Sequence, residues 1–212
     1  MMEFRILHDT DKPLCFVGTS YMNKQFYEYF KPLRSAELVT WEEARNQPQS
    51  WFNARQFHAA ISNTGFKKQV VESIAEFFPD YFSIIGSSSF IDPGAKIGKN
   101  VYIYELNVLT SGDICIGDHT TITTHTVISH GTTIGNFSYV SPFVYTCFCN
   151  IGNGVVIGHR SSIIGSNNTP ISVVDWTNLI TNSIVTKNID VPATYYGNRM
   201  LSKENSLEKC IL

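Results

Sequence analysis

An aliphatic residue recurs every six positions through the second half of this chain. It stands at Ile85, Ile91, Ile97, Ile103 and Leu109, and resumes after a one-residue slip at Ile116, Ile122, Ile128, Ile134 and Val140. The phase shortens before Ile151, Ile157 and Ile163, then returns beyond an insertion at Val173, Leu179, Val185 and Val191. An amphipathic helix repeats at about 3.6 residues and a half-buried strand at about 2. Six is a short strand plus a corner, the mark of a stacked β-solenoid. Four places after an anchor stand small or β-branched residues: Ser89, Ala95, Val101, Thr120, Thr126, Thr132 and Ser138. Residues two apart in a strand share a face, so both registers are expected to point inward and fill a narrow triangular prism. Gly98, Gly117, Gly135, Gly152 and Gly158 follow their anchors, as tight corners favour. A sandwich of short strands has no reason to hold this phase.

With 212 residues the chain has room for one large or two small domains, and 43% hydrophobic content supplies a core. A formal charge of −2 argues against a nucleic-acid footprint. No apolar run approaches the ~20 residues of a membrane span, and MMEFRILHDTDK lacks the apolar stretch of a signal peptide. Five cysteines, an odd number without framework spacing, fit a reducing cytoplasm. Cys147-Phe148-Cys149 is C-x-C without a matching pair, so no metal is expected there.

Residues 1–82 lack the period. Leu14–Val17 reads as a buried strand ending at Gly18-Thr19-Ser20, followed by a helix over about 21–30. Glu37–Val39 reads as a second strand, Thr40-Trp-Glu-Glu43 as a capping box opening a short helix, and Phe57–Ile61 as a third strand. Ser62-Asn63-Thr64-Gly65 leads into a helix over about 66–78. Strand–helix alternation implies a small parallel α/β unit. The expected layout is an α/β (Rossmann-like) unit over 1–82, a β-helix over 83–197, and a tail over 198–212 whose Leu201, Leu207 and Ile211 are placed to cap the solenoid. Gly18-Thr19-Ser20 is either an ordinary βα turn or a phosphate-binding one; its place at a strand's carboxyl end makes it a ligand crevice candidate.

A small α/β domain feeding a hexapeptide solenoid resembles the bacterial sugar acetyltransferases. The narrower resemblance is to those acting on nucleotide-linked amino sugars and to their sialic-acid O-acetyltransferase relatives. The most specific stretch is Ile128-Ser-His130-Gly-Thr-Thr-Ile134-Gly135, continuing to Val140-Ser141-Pro142. Val185-Thr-Lys187 through Val191-Pro192 and Tyr196-Gly197-Asn198 match the family's end, with Arg199 and Met200 where relatives carry Pro-Ala. The resemblance implies a left-handed coil, and a homotrimer with active sites at subunit boundaries. It also implies acetyl-CoA as co-substrate lying in the groove between subunits.

Acetyl transfer from a thioester to an amine needs a base for the ammonium and donors for the oxyanion. By the facing rule His119, His125 and His130 all point outward, where a histidine is ordinarily a solvated side chain. The resemblance makes His130 the base. Relatives commonly carry Asp or Glu directly after it; here stands Gly131, so a carbonyl, Thr123, Thr124 or a carboxylate from elsewhere is left to orient the ring. For the CoA arm the resemblance points to Tyr139, Ser141, Cys147, His159, Thr181 and Asn182. For the acceptor the candidates are Gly18, Thr19, Ser20, Asn63, Thr123 and His125. Trp176 is open between stacking on adenine and plugging an interface, and Asn167–Pro170 between a site loop and a tolerated insertion.

The leading expectation is N-acetylation of a UDP- or dTDP-linked amino-deoxy sugar, with sialic acid or sugar O-acetylation behind it. A zinc enzyme of the γ-carbonic anhydrase kind would place a third histidine near Ser89, where there is none. A non-catalytic scaffold is the remaining alternative.

Overall fold

A computed structural model describes residues 3–202. The repeats form a parallel β-helix of three short-stranded sheets. On the first face Tyr102–Ile103, Thr121–Ile122, Tyr139–Val140, Val156–Ile157 and Asn178–Leu179 stack in register. On the second face the ladder runs from Phe90–Ile91 through Val127–Ile128 to Ile184–Val185. On the third it runs from Lys96–Ile97 through Thr132–Ile134 to Ile171–Val173. A first corner links the first face to the second, a second corner links the second to the third, and a third corner closes the coil. In such a prism the second corner is the vertex opposite the first face.

The anchors Ile103, Ile122, Ile128, Val140, Ile157 and Val185 are fully buried, as are Thr120, Thr126, Thr132 and Ser138. The small polar register does more than fill space. Thr120 Oγ1 donates to the Gly135 carbonyl of the next coil and accepts the Ser138 N–H, and Ser138 Oγ in turn donates to the Gly152 carbonyl. Each buried hydroxyl thereby ties one coil to the next and avoids the cost of an orphaned polar group. The glycines answer a close approach: a Cβ at Gly117 would lie 2.5 Å from Asn136 Oδ1, which accepts the Asp118 N–H.

The period ends earlier than expected. Val191 is exposed and Ile189 is buried in its place, bridging to Val173. The corner after Val185 is shorter than the period allows, so the inward position falls two residues early.

Upstream come β1 (Phe4–Leu7), β2 (Leu14–Val17), α1 (Tyr21–Phe30), β3 (Ala36–Val39), α2 (Trp41–Arg45), α3 (Gln49–Asn53), β4 (Gln56–His58) and α4 (Thr64–Ser73). Strands β2, β3 and β4 form a parallel sheet in the order β3-β2-β4. The capping box at Thr40 and Glu43 opens α2 as its residues predict. The third strand is shorter than expected. The last helix stops at Ser73, and a 3-10 turn over Ala75–Phe77 follows before Phe78 takes a left-handed backbone (φ 49°). Strand β1, which has no signal in the periodicity, pairs antiparallel with Ser83–Gly86 at the foot of the first face.

This upstream unit covers the first face. Phe26 of α1 packs edge-on to Tyr102 at 4.7 Å, and Phe4, Phe16 and Phe82 complete the aromatic joint. At the far end Arg199–Met200 pairs antiparallel with Thr194–Tyr196 and covers the last strand edge. Leu201 is half-buried there, while Leu207 and Ile211 lie outside the described residues.

Candidate active site

Corners in this solenoid need a left-handed residue, and histidine fills two of them. His119 (φ 63°) stacks on Phe137 at 4.6 Å, and His125 (φ 59°) stacks on Phe143 at 4.9 Å. His119 is half-buried by its stack, whereas His125 stays exposed. His125 belongs to a first-corner column in which Phe143 also meets the edge of His159 and the guanidinium of Arg160. His130 lies one side of the prism further on, exposed at the second corner, its ring stacked toward Phe148 at 6.4 Å.

The carboxylate that is missing after His130 arrives from the coil below. Asp113 Oδ2 accepts the Gly131 N–H at 2.9 Å. Its carboxyl is held below the usual range by hydrogen bonds from Ser111 and Gly131 and by the charge of His130. Position 131 itself has no room for an acid. Gly131 has φ 61°, and a Cβ there would sit 2.6 Å from the Phe148 ring. Asp113 is found by stepping back one coil rather than along the chain.

The other expected residues fall into separate places. Gly18, Thr19 and Ser20 line a 400 Å³ cavity with Thr40, Trp41 and Phe66. Much of this turn's hydrogen bonding is internal: Ser20 caps α1 and donates to the Ala60 carbonyl, and Asn63 caps α4. A second cavity of 340 Å³ adjoins it through Ile61 and Ser62, and is walled by Tyr102, Tyr104, Thr121, Thr123 and Tyr139. The Tyr102 hydroxyl is buried beside Tyr104, the two rings 5.0 Å apart. Together they form one crevice from the carboxyl ends of the parallel strands to the first face of the helix.

Tyr139 therefore stands in this crevice. Ser141, His159, Thr181 and Asn182 gather on the upper first corner, where Asn182 N–H bonds the His159 carbonyl. Cys147 ends a second-face strand. Trp176 lies on the third corner, 40% exposed, with the Lys68 ammonium 5.6 Å over its ring. The Asn167–Pro170 loop sits at the second corner one coil above Phe148, beside a 720 Å³ cavity. Among the described residues no group of three or more His, Cys, Asp or Glu is placed to hold a metal ion, and no helix is long and apolar enough to cross a membrane.

No protein-family model matches the chain, and no curated protein matches its sequence. Solved structures do. WeeI from Acinetobacter baumannii AYE aligns over 90% of this chain and 100% of its own at 17% identity and a TM-score of 0.75. The acetyltransferase domain of PglB from Neisseria gonorrhoeae FA1090, in complex with acetyl coenzyme A, aligns over 90% and 98% at 15% identity and 0.61. A mutant perosamine N-acetyltransferase from Caulobacter crescentus, in complex with CoA and GDP-perosamine, aligns over 88% and 89% at 13% identity and 0.54. The fold is one found in sugar N-acetyltransferases. It extends over both the upstream unit and the solenoid.

Proposed function

We propose that this protein transfers the acetyl group of acetyl-CoA to the amine of a nucleotide-linked amino-deoxy sugar. The observation that carries this reading is an exposed His130 on a solenoid corner with the Asp113 carboxylate beneath it. The amine attacks the thioester carbonyl, its proton passes to His130, and the C–S bond breaks to release CoA as the thiol. His130 acts as general base, and the Asp113 carboxylate fixes the backbone beside it through the Gly131 N–H. The upstream unit, residues 1–82, is read as a Rossmann-like binder of the nucleotide, in the crevice that Gly18, Thr19 and Ser20 open. The tyrosines and threonines of the adjoining cavity suit a hexose ring.

Crevice and base lie on opposite sides of one prism, so we assign the complete site to two subunits of a homotrimer. The second face supports this assignment. Phe90 (57% exposed), Val108, Tyr145 and Ile184 (62%) form an open apolar row along it. It is bounded by the corner that carries His130. The cavity beside Asn167–Pro170 lies on the same corner as the base, two to three coils above it, and offers room for the far part of the acetyl-CoA arm. The free thiols Cys15, Cys115, Cys147 and Cys149 accord with work in the cytoplasm.

Acetyl-CoA supplied with nucleotide-linked amino sugars and with hydroxyl acceptors tests the reading. CoA release with the amines alone is expected. Release with hydroxyl acceptors alone would replace it with O-acetylation, and no release with either would leave a scaffold.

A further inference from the structure

Lys67 is an expensive residue. It lies on α4, is 1% exposed, and its ammonium reaches Thr121 Oγ1 at 3.4 Å. Burial sets its state, pulling it down to about 7, and no opposite charge among the described residues offsets the cost. The groups around it make matters worse. His58 of β4 and His119 of the third corner are both pushed down by burial and by Lys67, while the Phe82 carbonyl acts the other way on His58 and Asp118 on His119. His58 Nε2 and the Tyr81 hydroxyl are also buried, without partners among the described residues. A methionine of similar length would satisfy the packing at lower cost, so packing does not account for the amine.

Thr121 gives the amine an outlet. Its side chain forms part of the wall of the 340 Å³ cavity, so Lys67 stands directly behind that wall. A ligand oxygen bonded to Thr121 would lie about 6 Å from Nζ, allowing ~3 Å for the second hydrogen bond. At an effective dielectric of about 20, one negative charge there is worth ~100-fold in affinity. We propose that Lys67 is the specificity-determining charge of this crevice, selecting a phosphate-ester ligand through Thr121. The proposal rests on reading the crevice as the site of a nucleotide-linked acceptor. Before binding at pH ~8, the amine is largely neutral and tolerable in the joint. An anion in the cavity draws a proton onto it.

The test is calorimetric titration of the full chain with UDP, GDP and dTDP at pH ~8, in two buffers of different ionisation enthalpy. Wild type is expected to bind at least one of them with uptake of about one proton, given an amine near 7 before binding. Lys67→Met should melt at higher temperature, bind ~10- to 100-fold more weakly, and take up no proton. Lys67→Arg should keep more of the affinity than Lys67→Met. Equal affinity in Lys67→Met, or wild-type binding without proton uptake, overturns the proposal. If Lys67→Met acetylates a nucleotide-linked amino sugar with wild-type KM, the proposal falls and the transferase stands. Binding with uptake in a chain that transfers no acetyl group leaves the proposal standing and removes the transferase. Failure of wild type to bind any of the three removes both.

Discussion

Acid should loosen the joint between the upstream unit and the solenoid, and His58 gives the magnitude. Its ring is fully buried among Phe26, Phe82 and Tyr102, with Nδ1 3.2 Å from the Phe82 carbonyl. Nδ1 therefore donates, and Nε2 faces no partner. Protonating Nε2 would bury an unpaired charge, and burial together with Lys67 pulls the group from 6.5 to about 3. His119 is held neutral in a complementary way. Asn100 Oδ1 accepts the Ala59 N–H, so its amide nitrogen donates to His119 Nδ1 and keeps that nitrogen bare. Burial, with Lys67 adding to it, takes His119 down to about 4. In both cases the unfolded chain binds the extra proton, so stability is complete above about 6.5 and is lost as pH falls toward the folded values. From about pH 7.5 to about pH 4.5, His58 costs about 3 kcal/mol and His119 about 2–3. That is a large share of the roughly 5–15 kcal/mol that holds a domain folded. Lys67 adds little in this window. Its folded value of about 7 lies below an ordinary 10.5, so its cost builds as pH falls between those values, grows by about 1 kcal/mol from pH 7.5 to about 6 in both proteins alike, and is constant in stronger acid. Denaturant unfolding of wild type and His58→Phe at both pH values is the assay. Phenylalanine fits the aromatic joint and loses the Phe82 bond at every pH, a constant offset of about 1 kcal/mol. Its acid loss should be about 3 kcal/mol smaller than that of wild type. If the two proteins lose stability in parallel, the imidazole is not held neutral by burial and the reasoning is refuted.

His130→Ala should lower kcat ~10²–10⁴-fold with KM little changed, the range for a lost general base; unchanged turnover at saturating substrates would remove the assignment. Asp113→Asn should lower kcat while leaving the melting temperature close to wild type, and Asp113→Glu should recover part of the rate. Gly131→Ala forces a Cβ onto Phe148 from a left-handed backbone and should cost about 1–3 kcal/mol, read as a lower unfolding midpoint. Ile184→Asp places a charge in the apolar row of the second face and should convert the assembly to monomers in light scattering.

The phase of the anchors made the helix legible because each coil repeats the same problem: two inward residues per side and a corner between. The buried threonines and serines were legible for the same reason. What failed was whatever broke the repetition. Val191 continues the count but not the coil, since the corner after Val185 is short. Strand β1 carries no period, and joins the solenoid only because Ser83–Gly86 leaves an open edge. The cluster of His58, Lys67 and His119 comes from β4, α4 and a solenoid corner, and no spacing along the chain brings those together. Asp113 is an intermediate case. The phase that places Ile116 under Ile134 also places Asp113 under Gly131, so the carboxylate could be read by counting coils, but not by inspecting the residue next to His130.

The outward register holds one more piece of information, and it concerns partners. Directly before each inward anchor stands a residue facing away from the prism. On the third face these are Lys96, Cys115, Thr133, Asn150 and Ser172, polar enough to meet water. On the lower first face they include Ile84, Tyr102 and Tyr139, and the upstream unit packs over them. On the second face they are Phe90, Val108, Val127, Tyr145, Ser162 and Ile184. A face patterned like the covered one and left open fits the subunit interface proposed above. The first face has already spent its apolar side on the upstream unit, so a second subunit is the economical occupant of the second. The corner that borders this face carries His130. The same assembly that buries the row can therefore carry the base of one chain toward the crevice of the next, joining two halves that no single prism can bring together.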